Sequence, residues 1–179
     1  MPKGWEYVMG FFDKLFGSKK PAKPEAVVAD AAKGAVCAPV AGRVEVTDQI
    51  PDPVFACEAM GQTVAVWPSD GNVFAPISGA VASAMPHAFG IAGDDGVEVL
   101  VHVGVDTVNM NGDGFNVWVN AGDHVNAGDP VLTFDRDKVA KAGYKDIVMT
   151  IITNSDDLAS IDKVAEGTVA AGAKLMQTA

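Results

Sequence analysis

One stretch, residues 97–108, constrains the fold of this 179-residue chain more than any other. It reads Val-Glu-Val-Leu-Val-His-Val-Gly-Val-Asp-Thr-Val, with valine at every second position up to Val105. A period of two predicts a β-strand whose valine face packs on a core, and β-branched side chains favour such a pleated surface. His102 and Asp106 fall on the opposite face. Gly104 leaves room beside the imidazole for a ligand or a second backbone.

A second histidine is expected to meet the first across a hairpin. Residues 93–96, Gly-Asp-Asp-Gly, form a turn signal just before the strand. Folding the chain about the centre of that turn places His87 directly opposite His102. Residues paired in this way share a face, with Cβ atoms about 4.5–5.5 Å apart. His124, between two Gly-Asp turns, is instead predicted to be exposed and without a chemical role.

A duplicated motif indicates how the rest of the chain is built. Val-Cys-Ala-Pro-Val-Ala-Gly-Arg-Val at 36–44 is echoed by Val-Phe-Ala-Pro-Ile-Ser-Gly-Ala-Val at 73–81. Proline stops ladder pairing and glycine permits a tight corner, so each copy predicts two short strands joined at a bend. With 19 glycines and 10 prolines spread along the chain, we expect an all-β fold: an antiparallel β-sandwich or flattened barrel with few short helices.

Other segments carry weaker local signals. We expect a strand over 61–67 ending at Pro68, an irregular loop over 50–56, a helix over 135–142, a strand over 146–153, a turn of helix or loop over 156–163 and a last edge strand over 167–175.

The sequence divides into three parts. Residues 1–17 carry apolar side chains at helical spacing, so they predict an amphipathic segment that contacts an anionic membrane surface through residues 8–16. A frayed tail or a helix packed on the domain are equal alternatives. Residues 18–33, rich in Lys, Pro and Ala, are typical of a linker. The β domain is predicted to span 34–179.

Composition excludes several classes of protein. A net charge of −10 argues against nucleic acid as a partner, because phosphates would be repelled, and favours basic protein surfaces. No run approaches the ~20 apolar residues of a membrane span. Cys37 and Cys57 form no C-x-x-C motif, so a reduced cytoplasm is the simplest setting and both are expected to be small core residues.

Several segments together resemble the glucose-type enzyme IIA of the bacterial phosphoenolpyruvate-dependent sugar phosphotransferase system. These are Ala-Pro-Ile-Ser-Gly at 75–79, Pro-His-Ala-Phe-Gly-Ile at 86–91, the strand at 97–108 and Asn-Gly-Asp-Gly-Phe at 111–115, together with Gly-Phe-Phe-Asp-Lys-Leu at 10–15. The resemblance implies a β-sandwich and a phosphotransferase component. In this family a histidine takes a phosphoryl group from the phosphocarrier HPr and passes it to a cysteine of enzyme IIB during sugar uptake.

The resemblance also implies roles for particular residues. His102 matches the phosphorylated histidine, with Nε2 as the acceptor atom, and His87 matches the second histidine, needed for onward transfer. Asp52 and Asp106 match carboxylates that meet basic residues of partners. Further regulatory target proteins are implied as well. Close relatives have a small hydroxyl residue where this chain has Met85, so the histidines here are expected to be oriented by other groups.

The chemistry of a relay predicts the form of the site. It should be a shallow apolar depression that excludes water and needs neither a metal nor another cofactor. Leu100, Val103 and Phe89 are expected to form its walls, and Phe55 and Phe89 to contact partners. A backbone carbonyl should hold the second ring nitrogen of His102 and so fix its tautomer.

Three other functions share parts of this sequence pattern. A regulatory binding protein that never carries phosphate remains open. A biotinyl or lipoyl carrier is disfavoured because Gly61 follows Glu-Ala-Met at 58–60, where the attachment lysine would be needed. A zinc peptidase on a related fold is disfavoured because Gly104 stands where a second ligand of a His-x-His pair would lie.

Overall fold

The computed structural model describes residues 21–179. The predicted amphipathic segment 1–17, its membrane contact over 8–16 and the start of the predicted linker lie outside the described residues. Fourteen strands and two short α-helices follow one another along the described chain. They are β1 Ala35–Cys37, β2 Gly42–Glu45, α1 Pro53–Ala56, β3 Gln62–Pro68, β4 Asn72–Phe74, β5 Gly79–Ala84, β6 Ala88–Gly93, β7 Glu98–Val105, β8 Phe115–Val117, β9 His124–Val125, β10 Pro130–Phe134, α2 Arg136–Lys141, β11 Lys145–Ile152, β12 Ile161–Lys163, β13 Thr168–Val169 and β14 Lys174–Thr178. Short 3-10 turns lie at Thr47–Gln49, Thr107–Met110 and Ser155–Asp157.

The strands form three antiparallel sheets around a shared core. The large sheet has the order β13-β2-β3-β11-β7-β6-β5-β9, and the small ones have the orders β1-β14-β12 and β4-β10-β8. Valines of β7 and the residue just before it enter the core between the sheets, namely Val97, Val99, Val101 and Val103. The predicted antiparallel sandwich is therefore confirmed, whereas the flattened barrel is not, since the sheets of residues 21–179 stay open.

The two copies of the duplicated motif have the same local structure and are hydrogen-bonded to each other. In both, a short strand runs into a Pro-to-Gly corner and a second strand follows, as β1–β2 and as β4–β5. The N–H of Cys37 donates to the carbonyl of Pro76 at 2.8 Å, and the N–H of Phe74 donates to the carbonyl of Pro39 at 2.8 Å. These two bonds are equivalent under the repeat, so the corners are related by an approximate twofold axis.

Each corner needs its glycine because another strand passes very close. A Cβ on Gly42 would lie 1.9 Å from the carbonyl oxygen of Trp67, and one on Gly79 would lie 2.2 Å from that of Ala92. Any side chain at either position would push the neighbouring strand away. In both copies, the glycine of the Pro-to-Gly pattern therefore lies where the backbones of two strands come very close together.

One predicted loop contains a helix instead. Residues 53–56 form the single turn α1, because Pro53 occupies its first position and the carboxylate of Asp52 caps it. That carboxylate accepts the N–H groups of Val54 at 2.8 Å and of Phe55 at 3.4 Å. The expectation of an irregular segment over all of 50–56 is therefore wrong for these four residues.

Two further expectations need correction. The last edge strand expected over 167–175 is divided in two: β13 lies at the edge of the large sheet, as expected, whereas β14 lies between β1 and β12, where Gln177 pairs with both Ala35 and Asp162. Cys37 is buried as expected, but Cys57 is exposed, because it follows α1 on the surface rather than facing a core. The strands predicted to begin near 61 and near 146, and the helix within 135–142, are confirmed.

The segment that enters the domain, residues 21–33, has no regular secondary structure but lies along the domain surface. The N–H of Val27 donates to the carbonyl of Gly128 at 3.0 Å, and that of Asp30 donates to Gly172 at 2.8 Å. Of the helices that residues 21–179 form, none has the length and apolar character needed to cross a membrane.

Candidate functional site

Two imidazole rings meet on the outer face of the large sheet. The ring centroids of His87 and His102 lie 5.2 Å apart, with the ring planes at 70°. The predicted meeting is confirmed, but the predicted pairing is wrong by one residue. Ala88 lies opposite His102 in the β6–β7 ladder, and His87 precedes β6, so its side chain is free of strand alternation and turns over the sheet.

The orientation of the His102 ring follows from its Nδ1 atom. That atom lies 2.8 Å from the carbonyl oxygen of Gly104. A carbonyl oxygen can only accept, so Nδ1 carries the proton and Nε2 keeps its lone pair. The expected backbone partner is thus confirmed, and it comes from the residue two positions along the same strand.

Both histidines are held in the neutral form. Burial lowers the pKa of His102, the bond to Gly104 partly offsets this, and nearby His87 lowers the pKa further. Burial also lowers the pKa of His87. A histidine whose pKa falls below the usual value of about 6.5 is largely uncharged at neutral pH, so the Nε2 lone pair of His102 is available without a separate base to remove a proton.

An apolar cluster lies beneath His102, on the opposite side of the sheet from the main core. Phe55, from α1, is 6% exposed, and its ring centroid lies 5.2 Å from that of His102. Met149 of β11 pairs with His102 in the ladder, and Leu100 of β7 is partly buried on the same face. Other members of this cluster are Ile50, Ala65, Ile147, Ile151, Trp67 and Val105. Val105 was expected on the valine face, but it lies here instead.

Two of the three residues predicted to form the walls of the site lie elsewhere. Phe89 and Val103 are both fully buried in the main core. Phe89 pairs with Val101, a core-facing residue, so the one-residue shift in register turns its ring inward. Phe89 therefore cannot line the depression or contact a partner.

Two carboxylates stand beside the histidines. Asp52 caps α1, and Asp106 follows β7 in the left-handed region with φ at +59°. Both raise the pKa of His102 electrostatically, although less than burial lowers it. Asp106 is exposed and Asp52 is partly so. The mouth of the site is therefore negatively charged.

Exposed apolar side chains near the site were missed by sequence reasoning. Val54, beside the Asp52 cap, is 45% exposed, Met85, two residues before His87, is 43% exposed, and Val108 is 53% exposed. Val54 lies in the one-turn helix α1, Met85 in the link between β5 and His87, and Val108 in the 3-10 turn after β7. None of them belongs to an element long enough to show a periodic pattern, so their exposure could not be read from the sequence.

The third histidine takes no part in the site. Nε2 of His124 lies 2.9 Å from a carboxylate oxygen of Asp94, and both side chains are more than half exposed. The prediction that His124 is exposed is confirmed. Within residues 21–179, no three His, Cys, Asp or Glu side chains are arranged to hold a metal ion.

Comparison with known proteins agrees with this geometry. Residues 34–158 match the model of the phosphoenolpyruvate-dependent sugar phosphotransferase system EIIA 1 family. The chain is 40% identical over 163 residues to a PTS system glucose-specific EIIA component of Staphylococcus aureus (strain COL), with 90% of this chain and 93% of that protein covered. An equally identical match with the same coverage is the glucose-specific EIIA component of Halalkalibacterium halodurans.

A longer relative and a solved structure complete the comparison. The PTS system beta-glucoside-specific EIIBCA component of Dickeya chrysanthemi is 43% identical over 141 residues, which cover 78% of this chain and 22% of that protein. The solved glucose permease IIA from Mycoplasma capricolum superimposes with a TM-score of 0.72 at 34% identity, covering 79% of this chain and 93% of that one. The chain therefore belongs to the EIIA 1 family of the phosphoenolpyruvate-dependent sugar phosphotransferase system, and it is a phosphotransferase component of the kind that exchanges phosphoryl groups with HPr and EIIB domains.

Proposed function

We propose that Nε2 of His102 accepts the phosphoryl group from phospho-HPr and passes it to the cysteine of an EIIB domain. One observation carries this assignment: the Nδ1 proton is committed to the carbonyl of Gly104. The remaining ring nitrogen therefore has an available lone pair in a neutral imidazole. The family match supports the reaction class, and the geometry of the ring supports the choice of atom.

The transfer balances without an added acid or base. The lone pair of Nε2 forms the new N–P bond as the N–P bond of the donor phosphohistidine breaks. The donor ring, protonated on its second nitrogen, leaves with that electron pair as a neutral imidazole, and His102 keeps its Nδ1 proton. Positive charge grows on the His102 ring as the bond forms. The Nδ1–H bond to Gly104 stabilises that charge, because a protonated ring donates a stronger hydrogen bond.

His87 is proposed to assist the second transfer. Its ring stands edge-on to that of His102, at a centroid distance of 5.2 Å, and it carries no positive charge at neutral pH. An N–H from this ring can donate to phosphoryl oxygens as charge develops on them. We expect loss of this donor to slow delivery to EIIB more than acceptance from HPr.

The surroundings suit a high-energy adduct and basic partners. The apolar cluster around Phe55 limits access of water to the phosphohistidine from below. Asp52 and Asp106 at the mouth would attract arginine or lysine side chains of HPr and EIIB, which affects association rate and specificity more than affinity. We propose that regulatory proteins bind the same face. We also propose that residues 8–16, which lie outside the described residues, contact the membrane surface.

The decisive experiment reconstitutes the relay with phosphoenolpyruvate, enzyme I and HPr. The protein should gain one phosphate that is labile to acid and stable to base. His102→Gln should abolish the gain, and His87→Gln should accept phosphate but deliver it poorly to EIIB. His124→Gln is the matched control, because that ring lies outside the site and should change neither step. A phosphate that still appears on His102→Gln would refute the assignment.

A further inference from the structure

We infer that Thr107 is a positioning residue that holds the Gly104 carbonyl against Nδ1 of His102. The effect of this residue on phosphoryl transfer rests on the proposed function, because a fixed tautomer of His102 matters only if Nε2 is the reacting atom. Its structural content can be tested without any phosphoryl transfer.

Thr107 is buried and tied to the strand that bears His102. Its side chain is 1% exposed, and its hydroxyl donates to the carbonyl oxygen of Val103. Its methyl group lies over Gly104, because a Cβ built on that glycine would come within 2.3 Å of Cγ2. One side chain thus contacts both residues of the peptide unit that precedes the Gly104 carbonyl.

That carbonyl is available because the ladder is interrupted at this point. Along β11 and β7 the register changes between the pair Val148–Val103 and the pair Lys145–Val105, which leaves Gly104 without a partner. Gly104 adopts a φ of +81°, in the region that glycine tolerates. The bulge frees the carbonyl from the sheet, but such a glycine has a wide choice of conformations and needs something to fix it.

The hydroxyl of Thr107 supplies that restraint. The N–H of Val103 donates to the carbonyl of His87 at 2.7 Å, and the carbonyl of Val103 accepts from Thr107. The Val103 carbonyl and the Gly104 N–H belong to one planar peptide unit. The next peptide unit, which carries the Gly104 carbonyl, begins at this fixed plane, packs under the Thr107 methyl and ends at Val105, which pairs with Lys145. Restrained on both sides, the Gly104 carbonyl stays directed at the imidazole.

The test uses the unphosphorylated protein and imidazole nitrogen chemical shifts from NMR, which report the tautomer of each histidine. Wild type should show His102 with its proton on Nδ1. Thr107→Val keeps the shape and removes the hydroxyl, so a mixture of tautomers is expected. Thr107→Ser keeps the hydroxyl and should restore the wild-type signature. Should the valine variant fail to fold, Thr107→Ala is measured in its place.

A matched control removes a different buried hydroxyl. Thr133 is 5% exposed, and its Oγ1 has no hydrogen-bond partner among residues 21–179. Thr133→Val makes the same chemical change away from the histidines and should leave the His102 signature as in wild type. A general effect of inserting valine into the core would appear in both variants.

The transfer assay gives the second readout. The rate of phosphorylation by phospho-HPr should fall about threefold to tenfold in Thr107→Val, the range expected when one hydrogen bond is lost. A wild-type tautomer in Thr107→Val would overturn the positioning role even if His102 proves to be phosphorylated. A disturbed tautomer in a protein that takes up no phosphate would instead uphold the positioning role and refute the proposed function.

Discussion

The phenyl ring of Phe55 lies against the imidazole of His102, with centroids 5.2 Å apart and planes inclined at 49°. A four-residue helix, capped by Asp52, brings Phe55 to this position. The same turn therefore supplies both the apolar support of the imidazole and one of the charges beside it.

Removing this ring should affect both stability and titration. Phe55→Ala is expected to lower the free energy of unfolding by about 3–5 kcal/mol, the usual range for a buried phenylalanine. Because burial is the main cause of the low pKa of His102, that pKa should rise in the variant. Urea unfolding and an NMR titration measure the two effects. Phe55→Leu, which keeps most of the apolar volume, is the control and should change both quantities less. An unchanged pKa in Phe55→Ala would show that Phe55 does not desolvate His102.

The pH dependence of the site has a definite sign. Because the pKa values of His87 and His102 are lowered in the folded protein, folding favours their neutral forms. Their contribution to stability is complete above about pH 6.5, the unfolded value, and is lost as pH falls through the native pKa values. Phosphorylation of His102 should therefore stay constant from pH 8 to about pH 6.5 and decline only below that.

The measurement is an NMR titration of His87 and His102 together with the initial rate of phosphoryl uptake. Titration of His102 above the ordinary histidine range would contradict the argument from burial.

Replacing Gly104 should lower the stability of the protein strongly, for two reasons that can be separated by experiment. Gly104→Ala forces a side chain into a φ of +81°, and its Cβ would lie 2.3 Å from Cγ2 of Thr107 and 2.9 Å from the carbonyl oxygen of Lys145. Gly96→Ala is the matched control, since Gly96 has a φ of +90° and no atom within 4 Å of the new Cβ. The control should lose about 1–2 kcal/mol of stability from backbone conformation alone. Gly104→Ala should lose clearly more and should also disturb the His102 tautomer. Equal losses in thermal or urea unfolding would show that the contacts around Gly104 yield easily.

Neutralising the carboxylates should slow association with basic partners. Asp52→Asn retains a good helix cap, so it removes charge while preserving α1, and Asp106→Asn removes the exposed charge after β7. Each should reduce the association rate with HPr, with a weaker dependence on salt. Each should also lower the pKa of His102 further, because both carboxylates raise it. Asp156→Asn, in the exposed turn Ser155–Asp157, is the charge-matched control. Association rates equal to that of the control would exclude a steering role.

Residue patterns predicted the large features of the molecule because those features depend on short stretches of chain. The valine alternation placed β7 against the core from Val97 to Val103, and the Pro-to-Gly corners marked the duplicated motif. The cap and first position of α1 were also visible as Asp52 followed by Pro53. The prolines of this segment also break strands, so the same residues predict an irregular loop as readily as a capped helical turn.

Details of the site depended on partners distant in sequence. The register of the β6–β7 hairpin differs by one residue from the predicted one, so the Phe89 side chain faces the core. His87 lies just before β6, and its irregular backbone lets its ring reach that of His102. The bulge beside Gly104 arises where β7 meets β11, more than forty residues later in the chain. The spacing of residues within β7 contains no information about its pairing with β11. The sequence therefore predicts neither the free carbonyl of Gly104 nor the position of Val105.

The pairing of β1 with β14 has a mechanical consequence. Ala35 lies opposite Gln177, and the N–H of Thr178 donates to the carbonyl of Gly34 at 2.8 Å. A force that pulls Gly34 and Thr178 apart would therefore act first across the β1–β14 ladder, whereas the strand that carries His102 belongs to another sheet and is not part of that ladder.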